Sequence, residues 1–217
     1  MIDTETGGLE TEGVALTSIG AIALRLENGR LLPLEGDEKI RELELAIRPD
    51  PGLRLTDKAL EVQGLTRAEV MEGEGRIPES VALARLAQWL IEAGFEGGAW
   101  PLWAHNAEFD RGQLGAAIRR SVPRSSPCVP HQLLRNLCGR DSTWACTRYE
   151  AQNAVALRCM DRPKGDGGDI GPGFTLNACC HHFGISLESR QAGHGALVDA
   201  KLCARLLAKL IAVGGRI

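Results

Sequence analysis

The chain of 217 residues is 44% hydrophobic and 24% charged, a balance that excludes a disordered or fibrous protein. No apolar run approaches the roughly 18 residues that cross a bilayer, and the start Met1-Ile2-Asp3 lacks the features of a signal peptide. We therefore expect a cytoplasmic protein that binds no membrane. The net charge of −3 conceals a basic segment, 111–164, in which 10 basic and 3 acidic side chains give +7. This basic segment is interpreted either as a footprint for a phosphate backbone or as a solvated surface.

Strand-like and helix-like segments alternate along the chain, which predicts an α/β domain. The predicted strands are Ile2–Glu5, Ser18–Leu26, Leu43–Ile47 and Trp100–Ala104. The predicted helices are Asp57–Val62, Pro78–Ala93, a helix that follows the strand Trp100–Ala104 and ends near Arg120, Leu176–Phe183 and Ala196–Val213. Proline-rich 122–142 and glycine-rich 160–173 predict flexible loops. Neither an internal repeat nor a long linker divides the chain, so we expect a single domain over 1–217.

Seven cysteines, an odd number in a chain without a secretion signal, indicate reduced thiols instead of a disulfide framework. Cys128-x-x-His131 and the run Cys179-Cys180-His181-His182 raise the question of a zinc site. No second paired spacing accompanies them, and four adjacent residues of a helix point in four directions. We expect the cysteines to act as small buried hydrophobic residues.

The segment Asp3-Thr4-Glu5-Thr6-Gly7-Gly8-Leu9 places two carboxylates on the first strand. Positions two apart on a strand share a face, so Asp3 and Glu5 lie side by side. Two adjacent carboxylates repel each other unless a cation neutralises them, and hard oxygen ligands suit Mg²⁺ or Mn²⁺. The alternative is an acidic strand end exposed to solvent.

Two further segments carry acidic residues next to predicted helices. Asp110, in Asn106-Ala107-Glu108-Phe109-Asp110, follows an apolar strand and either joins the carboxylates or caps its helix. In Gly193-His194-Gly195, the two glycines place His194 on a loop before the last helix. Asp199 lies in the first turns of that helix, on its apolar stripe, where a carboxylate needs a metal, a backbone donor or an arginine as its partner.

The ordered set D-T-E-T-G-G-L, H-N-A-E-F-D and H-G-A-L-V-D-A resembles the three motifs of the DEDDh branch of the DnaQ-like 3′–5′ exonuclease superfamily. That family includes the proofreading subunit of bacterial replicative DNA polymerase and ribonuclease T. The resemblance implies a ribonuclease-H-like mixed five-stranded sheet flanked by helices. It also implies that Asp3, Glu5, Asp110 and Asp199 hold two Mg²⁺ or Mn²⁺ ions and that His194 is the general base. The residues implied to bind the terminal nucleotide are Thr4, Gly8, Leu9, Asn106 and Phe109.

The resemblance further implies a metal-dependent exonuclease domain that releases nucleoside 5′-monophosphates from the 3′ end of single-stranded nucleic acid, with DNA favoured. The alternatives are an RNA-trimming exoribonuclease and a catalytically silent nucleic-acid-binding domain, and the further candidate partners are a DNA polymerase and a second copy of the chain. Two features depart from the family. Gln63 stands where some proofreading relatives carry a histidine that contacts substrate. Only Met1 and Ile2 precede Asp3, so we expect either a late start or a short central strand.

Overall fold

The computed structural model describes residues 1–34, 41–95, 101–139, 142–160, 174–188 and 195–213. Within these ranges the strands are β1 (Ile2–Thr6), β2 (Leu16–Ile22), β3 (Leu24–Glu27), β4 (Arg30–Pro33), β5 (Glu42–Arg48), β6 (Ile77–Pro78), β7 (Leu102–Ala104) and β8 (Trp144–Cys146). The helices are α1 (Asp57–Gln63), α2 (Arg67–Glu72), α3 (Glu79–Glu92), α4 (Ala107–Ser121), α5 (Val129–Leu137), α6 (Thr147–Met160), α7 (Leu176–His182) and α8 (Ala196–Ala212).

The main sheet has the strand order β1-β2-β5-β6 and is mixed. Strand β2 pairs antiparallel with β1 on one side and with β5 on the other, whereas β6 pairs parallel with β5. Strands β7 and β8 form a separate parallel ladder, and β7 lies against β1. The predicted α/β class with a mixed sheet flanked by helices is confirmed, although the strands divide into separate ladders where one five-stranded sheet was expected.

Helices cover both faces of this sheet. Ile2 and Ile19 belong to the hydrophobic cluster that α3 and α4 complete, whereas the neighbouring Gly20 lies against the start of α8. Because adjacent strand residues point to opposite faces, α8 and the α3–α4 layer lie on opposite sides of β1 and β2. A second cluster joins α7 and α8 and contains Cys179, Cys180 and Cys203. For these three cysteines the prediction of small buried hydrophobic residues is confirmed, whereas Cys128 is exposed.

The predicted strand Ser18–Leu26 is in fact two strands. Strand β2 ends at Ile22, and β3 then forms a hairpin with β4 through Asn28-Gly29, where both residues have positive φ. An Asn-Gly pair between two short strands is the sequence signal for such a turn, so this hairpin was readable from the sequence.

The region after α4 is more regular than its prolines indicate. The predicted loop 122–142 contains α5, in which Pro130 occupies the first turn, where it removes no helical hydrogen bond. Strand β8 and helix α6 were not predicted, and α6 extends to Met160. The rest of the predicted loop 160–173 lies outside the described residues. Among the described helices, none is long and apolar enough to cross a membrane.

Candidate active site

Strand β1 presents its two carboxylates on one face, as its alternation predicts. The buried residues of β1 are Ile2, Thr4 and Thr6, and the half-buried Asp3 and Glu5 alternate with them. Ligand atoms of Asp3, Glu5 and Asp199 all lie within 4.8 Å of one another. Asp199 is 5% exposed, so three carboxylates from two distant segments meet in a place that is partly withdrawn from water.

Gly20 brings Asp199 to this position. Gly20 pairs with Asp3 across the β1–β2 ladder, so the two residues share a face of the sheet. A Cβ atom on Gly20 would lie 2.0 Å from the Leu197 nitrogen and 2.1 Å from the Ala196 carbonyl carbon, which no real side chain tolerates. The first turn of α8 therefore rests directly on the backbone of β2, and Asp199 follows within that turn. The absence of a side chain at one position sets the distance between the first and last acidic segments.

Asp110 enters the site from α4 and is held by β1. It is 3% exposed, and its Oδ1 accepts the Thr4 backbone N–H at 2.9 Å and the Thr4 hydroxyl at 2.8 Å. Burial raises the pKa of Asp110 to about 7, the hydrogen bonds from Thr4 oppose that rise, and the nearby Asp199 adds to it. The helix-capping alternative is wrong, because Asn106 is the N-cap residue and Asp110 lies a full turn later.

The turn that follows β1 is held in place by buried polar contacts. Gln63 donates to the Thr6 carbonyl oxygen at 2.8 Å and accepts the Thr17 hydroxyl at 2.9 Å. Gln63 is buried, so in this chain it supports the turn, in contrast to the substrate-contacting histidine of some proofreading relatives. Leu9 on the same turn is 86% exposed, which leaves a large apolar side chain in solvent beside the motif.

These elements enclose a pocket of about 190 Å³. Seven of its lining residues were predicted site residues: Asp3, Thr4, Glu5, Asn106, Phe109, Asp110 and Asp199. Gly8 is buried on the turn after β1 and Leu9 is exposed there; neither is among the lining residues. His194, the predicted general base, lies outside the described residues.

Two lining residues were not predicted, His105 and Leu176. His105 is 9% exposed and directly precedes Asn106, so the motif H-N-A-E-F-D contained it although only its later residues were assigned roles. Leu176 opens α7, and its apolar character gave no signal that would distinguish it from an ordinary core residue.

The donor set fits a divalent cation. Ligands on opposite sides of one Mg²⁺ lie about 4.2 Å apart, since each bond is about 2.0–2.1 Å long, so oxygens within 4.8 Å need move only slightly to share an ion. Three carboxylates are hard ligands of the kind that such ions prefer. Among the residues that the structure describes, no cysteine belongs to a group with this geometry.

Three arginines of the basic segment 111–164 contact other groups of the protein itself. Arg119 pairs with Glu12, and Arg120 contacts the buried Glu79 at 2.5 Å. Arg135 donates to the carbonyl oxygens of Pro123 and Ser126 at 3.0 Å and 2.8 Å. These three arginines therefore bind other groups of the same chain, which weakens the interpretation of this segment as a footprint for phosphates.

Nucleases are among the solved structures that share this fold. Over 97% of the chain, the fold matches E. coli exonuclease I in complex with a dT13 oligonucleotide with a TM-score of 0.66 and 18% identity, covering 40% of that chain. Over 99% of the chain, it matches the nuclease domain of 3′hExo, a DEDDh family member bound to rAMP, with a TM-score of 0.65 and 16% identity, covering 91% of that chain. At these identities the likeness establishes the fold.

Ribonucleases T are among the curated relatives of this chain. The ribonuclease T from Actinobacillus pleuropneumoniae serotype 5b is 30% identical over 133 residues, which cover 60% of this chain and 57% of the relative. The ribonuclease T from Buchnera aphidicola subsp. Baizongia pistaciae is 27% identical over 214 residues, 97% of this chain and 82% of the relative. The chain thus spans less than three fifths of the first of these relatives.

A family model extends over nearly the whole chain. It is described as the 3′–5′ exoribonuclease Rv2179c-like domain and matches residues 1–211. Together with the relatives and the fold, this match confirms the resemblance to DEDDh exonucleases that the three motifs predict. The chain belongs to the 3′–5′ exoribonuclease Rv2179c-like domain family.

Proposed function

We propose that this protein, as a single exonuclease domain over 1–217, removes nucleoside 5′-monophosphates from the 3′ end of a single-stranded nucleic acid. The observation that carries the proposal is the convergence of Asp3, Glu5 and Asp199 within 4.8 Å in a pocket that Asp110 also lines. Neighbouring carboxylates repel one another unless cations neutralise them, so four of them in one pocket favour a cation site. Family membership supports the same reaction.

The carboxylates have distinct parts in this reaction. Asp3, Glu5 and Asp199 would hold one cation between β1 and α8, and Asp110, fixed by Thr4, would complete the site for a second. When bound, Mg²⁺ or Mn²⁺ stabilises charge that develops on the phosphate and lowers the pKa of the attacking water. His194 would accept the proton of that water, since the pKa of an imidazole lies near neutrality. The role of His194 rests on the motif resemblance.

The terminal nucleotide would bind beside the carboxylates. Phe109 and Asn106 line the pocket, and the exposed Leu9 stands on the turn after β1, together with Gly8 and near Thr4. Apolar and aromatic side chains stack on any base, so we expect little sequence preference.

Single-stranded RNA and DNA are both candidate substrates. The family description names an exoribonuclease, which favours RNA, whereas the sequence resemblance to proofreading subunits favours DNA. The solved structures of the fold include one with a DNA oligonucleotide and one with rAMP. A catalytically silent binding domain is disfavoured, because such a domain would have no need to retain all four carboxylates in one pocket.

Digestion of matched oligonucleotides tests the proposal. DNA and RNA strands of the same sequence, labelled at the 5′ end, are incubated with the protein in Mg²⁺, in Mn²⁺ and in excess EDTA. We expect a ladder of strands shortened from the 3′ end, nucleoside 5′-monophosphates as products, and no reaction in EDTA. A circular strand of the same sequence should resist, because it offers no 3′ end.

Matched variants connect that activity to the site. Glu5→Gln should abolish it, whereas Glu72→Gln, the same change on the exposed surface of α2, should leave it intact. Activity that survives in EDTA or in Glu5→Gln would overturn the proposal. Light scattering of the purified protein, alone and with a DNA polymerase, tests whether a second copy or a polymerase is a partner.

A further inference from the structure

A chain of three hydrogen bonds, two of them buried and one partly buried, runs from the wall of the pocket to the last helix. His105 Nε2 lies 2.9 Å from the Phe174 carbonyl oxygen, and His105 Nδ1 lies 3.1 Å from Thr147 Oγ1. The same hydroxyl lies 3.2 Å from Cys203 Sγ. His105, Thr147 and Cys203 are all buried, so the two contacts among them are shielded from competition with water, and the contact with Phe174 is partly shielded.

One bond of this chain has a fixed direction. A carbonyl oxygen can only accept, so His105 Nε2 carries the hydrogen that it donates to Phe174. When the ring is neutral, Nδ1 accepts and the Thr147 hydroxyl is the donor to it. Burial raises the pKa of the Cys203 thiol, which therefore keeps its proton, and either the thiol or the Thr147 hydroxyl can donate in the contact between them. Successive bonds of this kind polarise and strengthen one another.

The hydrogen-bonded chain joins the elements that build the site. His105 lies between β7 and Asn106, the N-cap residue of the helix that bears Asp110. Cys203 follows Asp199 by four residues on α8, so the two share a face of that helix. At the other end, Phe174 precedes Leu176 by two residues.

Leu176 is the part of the pocket wall that depends on this contact. Leu176 lines the pocket and is the first residue of α7. The Thr175 hydroxyl caps the first turn of that helix. The Thr175 cap stabilises the first turn of α7 itself. The His105 contact holds that turn in its position relative to the carboxylates. Loss of the His105 donor would leave the wall free to move away from the nucleotide.

We propose that His105 is a positioning residue that holds the segment 174–176, and with it the Leu176 wall, against the nucleotide pocket. The proposal rests on the proposed exonuclease function for its consequence, which is binding of the terminal nucleotide. The hydrogen bond itself can be tested without any activity. A displaced wall weakens substrate binding and leaves the carboxylates in place, so KM changes more than kcat.

Two substitutions at the same position separate the two ring nitrogens. His105→Gln keeps a donor near the position of Nε2, whereas His105→Asn keeps a polar atom near Nδ1 and cannot reach Phe174. We expect His105→Asn to accelerate hydrogen exchange of the backbone amides in 174–183. We also expect it to raise KM about tenfold, the factor that corresponds to one hydrogen bond of ordinary net strength, and to leave kcat within about twofold of wild type. His105→Gln should restore most of both properties, and His181→Asn, the same change at an exposed site on α7, serves as the control.

The outcomes that overturn the proposal are specific. Unchanged exchange in His105→Asn would show that the contact does not hold the segment, and a fall in kcat at constant KM would assign His105 to the chemical step. If His105→Asn does not fold, Thr147→Val removes the middle donor and should shift exchange and KM in the same direction by a smaller factor; no shift there would equally overturn the proposal. If the wild-type protein cleaves no oligonucleotide, the proposed function fails while the exchange measurement still decides whether His105 holds the wall.

Discussion

Thr4 donates its backbone N–H and its hydroxyl to the same oxygen of Asp110, 106 residues further along the chain, at 2.9 Å and 2.8 Å. Thr4 lies between Asp3 and Glu5, so one strand presents two carboxylates directly and fixes a third through the residue between them. The alternating residues of β1 therefore have two roles. The half-buried Asp3 and Glu5 form the acidic trio with Asp199, and the buried Thr4 orients Asp110.

Removal of the Thr4 hydroxyl should weaken metal binding. Thr4→Val keeps the shape and the backbone N–H but removes one of the two donors that Thr4 offers to Asp110, so the carboxylate is less firmly oriented. Partners of metal ligands typically contribute 10- to 100-fold in affinity, and we expect an increase of about tenfold in the Mn²⁺ concentration for half-maximal activity. Thr4→Ser, which restores the hydroxyl, is the control. Equal Mn²⁺ requirements in Thr4→Val and wild type would show that the backbone donor alone suffices.

Neutralisation of Asp110 should stabilise the metal-free protein at neutral pH. Burial raises the pKa of Asp110 to about 7, against roughly 3.9 for an unfolded aspartate. Below pH ~4 the carboxyl is neutral in both states and costs nothing; as the pH rises to 7 only the unfolded state ionises, so stability is lost, by about 4 kcal/mol at most. Asp110→Asn avoids this loss, and its amide oxygen can still accept both bonds from Thr4.

Urea unfolding in EDTA at pH 4.5 and pH 8 measures this effect. The midpoints of wild type and Asp110→Asn should differ much less at pH 4.5 than at pH 8, where the variant should be higher, although it is inactive. Asp50→Asn, an exposed site, is the control for the change of side chain. A wild-type midpoint at or above that of Asp110→Asn at pH 8 contradicts the prediction. Added Mn²⁺ should raise the wild-type midpoint, because cations bind the ionised carboxylate.

A methyl group at Gly20 should separate the acidic segments. In Gly20→Ala the new Cβ would meet the Leu197 nitrogen at 2.0 Å, so the start of α8 must shift and carry Asp199 with it. Overpacking of this kind typically destabilises by about 1–3 kcal/mol, and we expect activity to fall more than 100-fold because a ligand is displaced. Gly52→Ala has open space around its Cβ and should resemble wild type in both measurements. Normal activity of Gly20→Ala would show that α8 can adjust without moving Asp199.

Local patterns predicted the acidic trio. Asp3 and Glu5 follow from the period of a strand, and Asp199 stood out because a carboxylate interrupted an apolar helical stripe. The hairpin at Asn28-Gly29 is equally local, because an Asn-Gly pair favours this type of turn by itself. Each of these features depends on residues close together in sequence.

Features that depend on packing between distant segments were not predictable in this way. The Thr4–Asp110 contact needs β1 and α4 in place, and the role of Gly20 follows only from where α8 lies. His105 shows the same limit: its motif was visible, but its partners Thr147 and Phe174 come from segments 42 and 69 residues away. Single-sequence patterns carry no information about such pairs.

Gln63 offers a test of how the turn after β1 is supported. Its side-chain nitrogen donates to the Thr6 carbonyl oxygen, and its oxygen accepts the Thr17 hydroxyl, so the two contacts can be broken separately. Gln63→Glu cannot donate to Thr6 when ionised, whereas Thr17→Val removes the other contact alone. Each change leaves a buried polar group without its partner and should destabilise by about 1–3 kcal/mol in urea unfolding.

The two variants should differ in substrate binding. Thr6 leads directly into the turn that carries Gly8 and Leu9, so loss of its partner in Gln63→Glu should loosen that turn and raise KM for a single-stranded oligonucleotide. The Thr17 hydroxyl contacts the side-chain oxygen of Gln63, so Thr17→Val leaves the bond from Gln63 to Thr6 in place and should change stability with KM within about twofold. Steady-state kinetics at equal Mn²⁺ measure the difference. If both variants raise KM equally, Gln63 acts on the sheet as a whole, and the turn is held by its other contacts, among them the bond from Gly7 N–H to the Ala15 carbonyl oxygen at 2.8 Å.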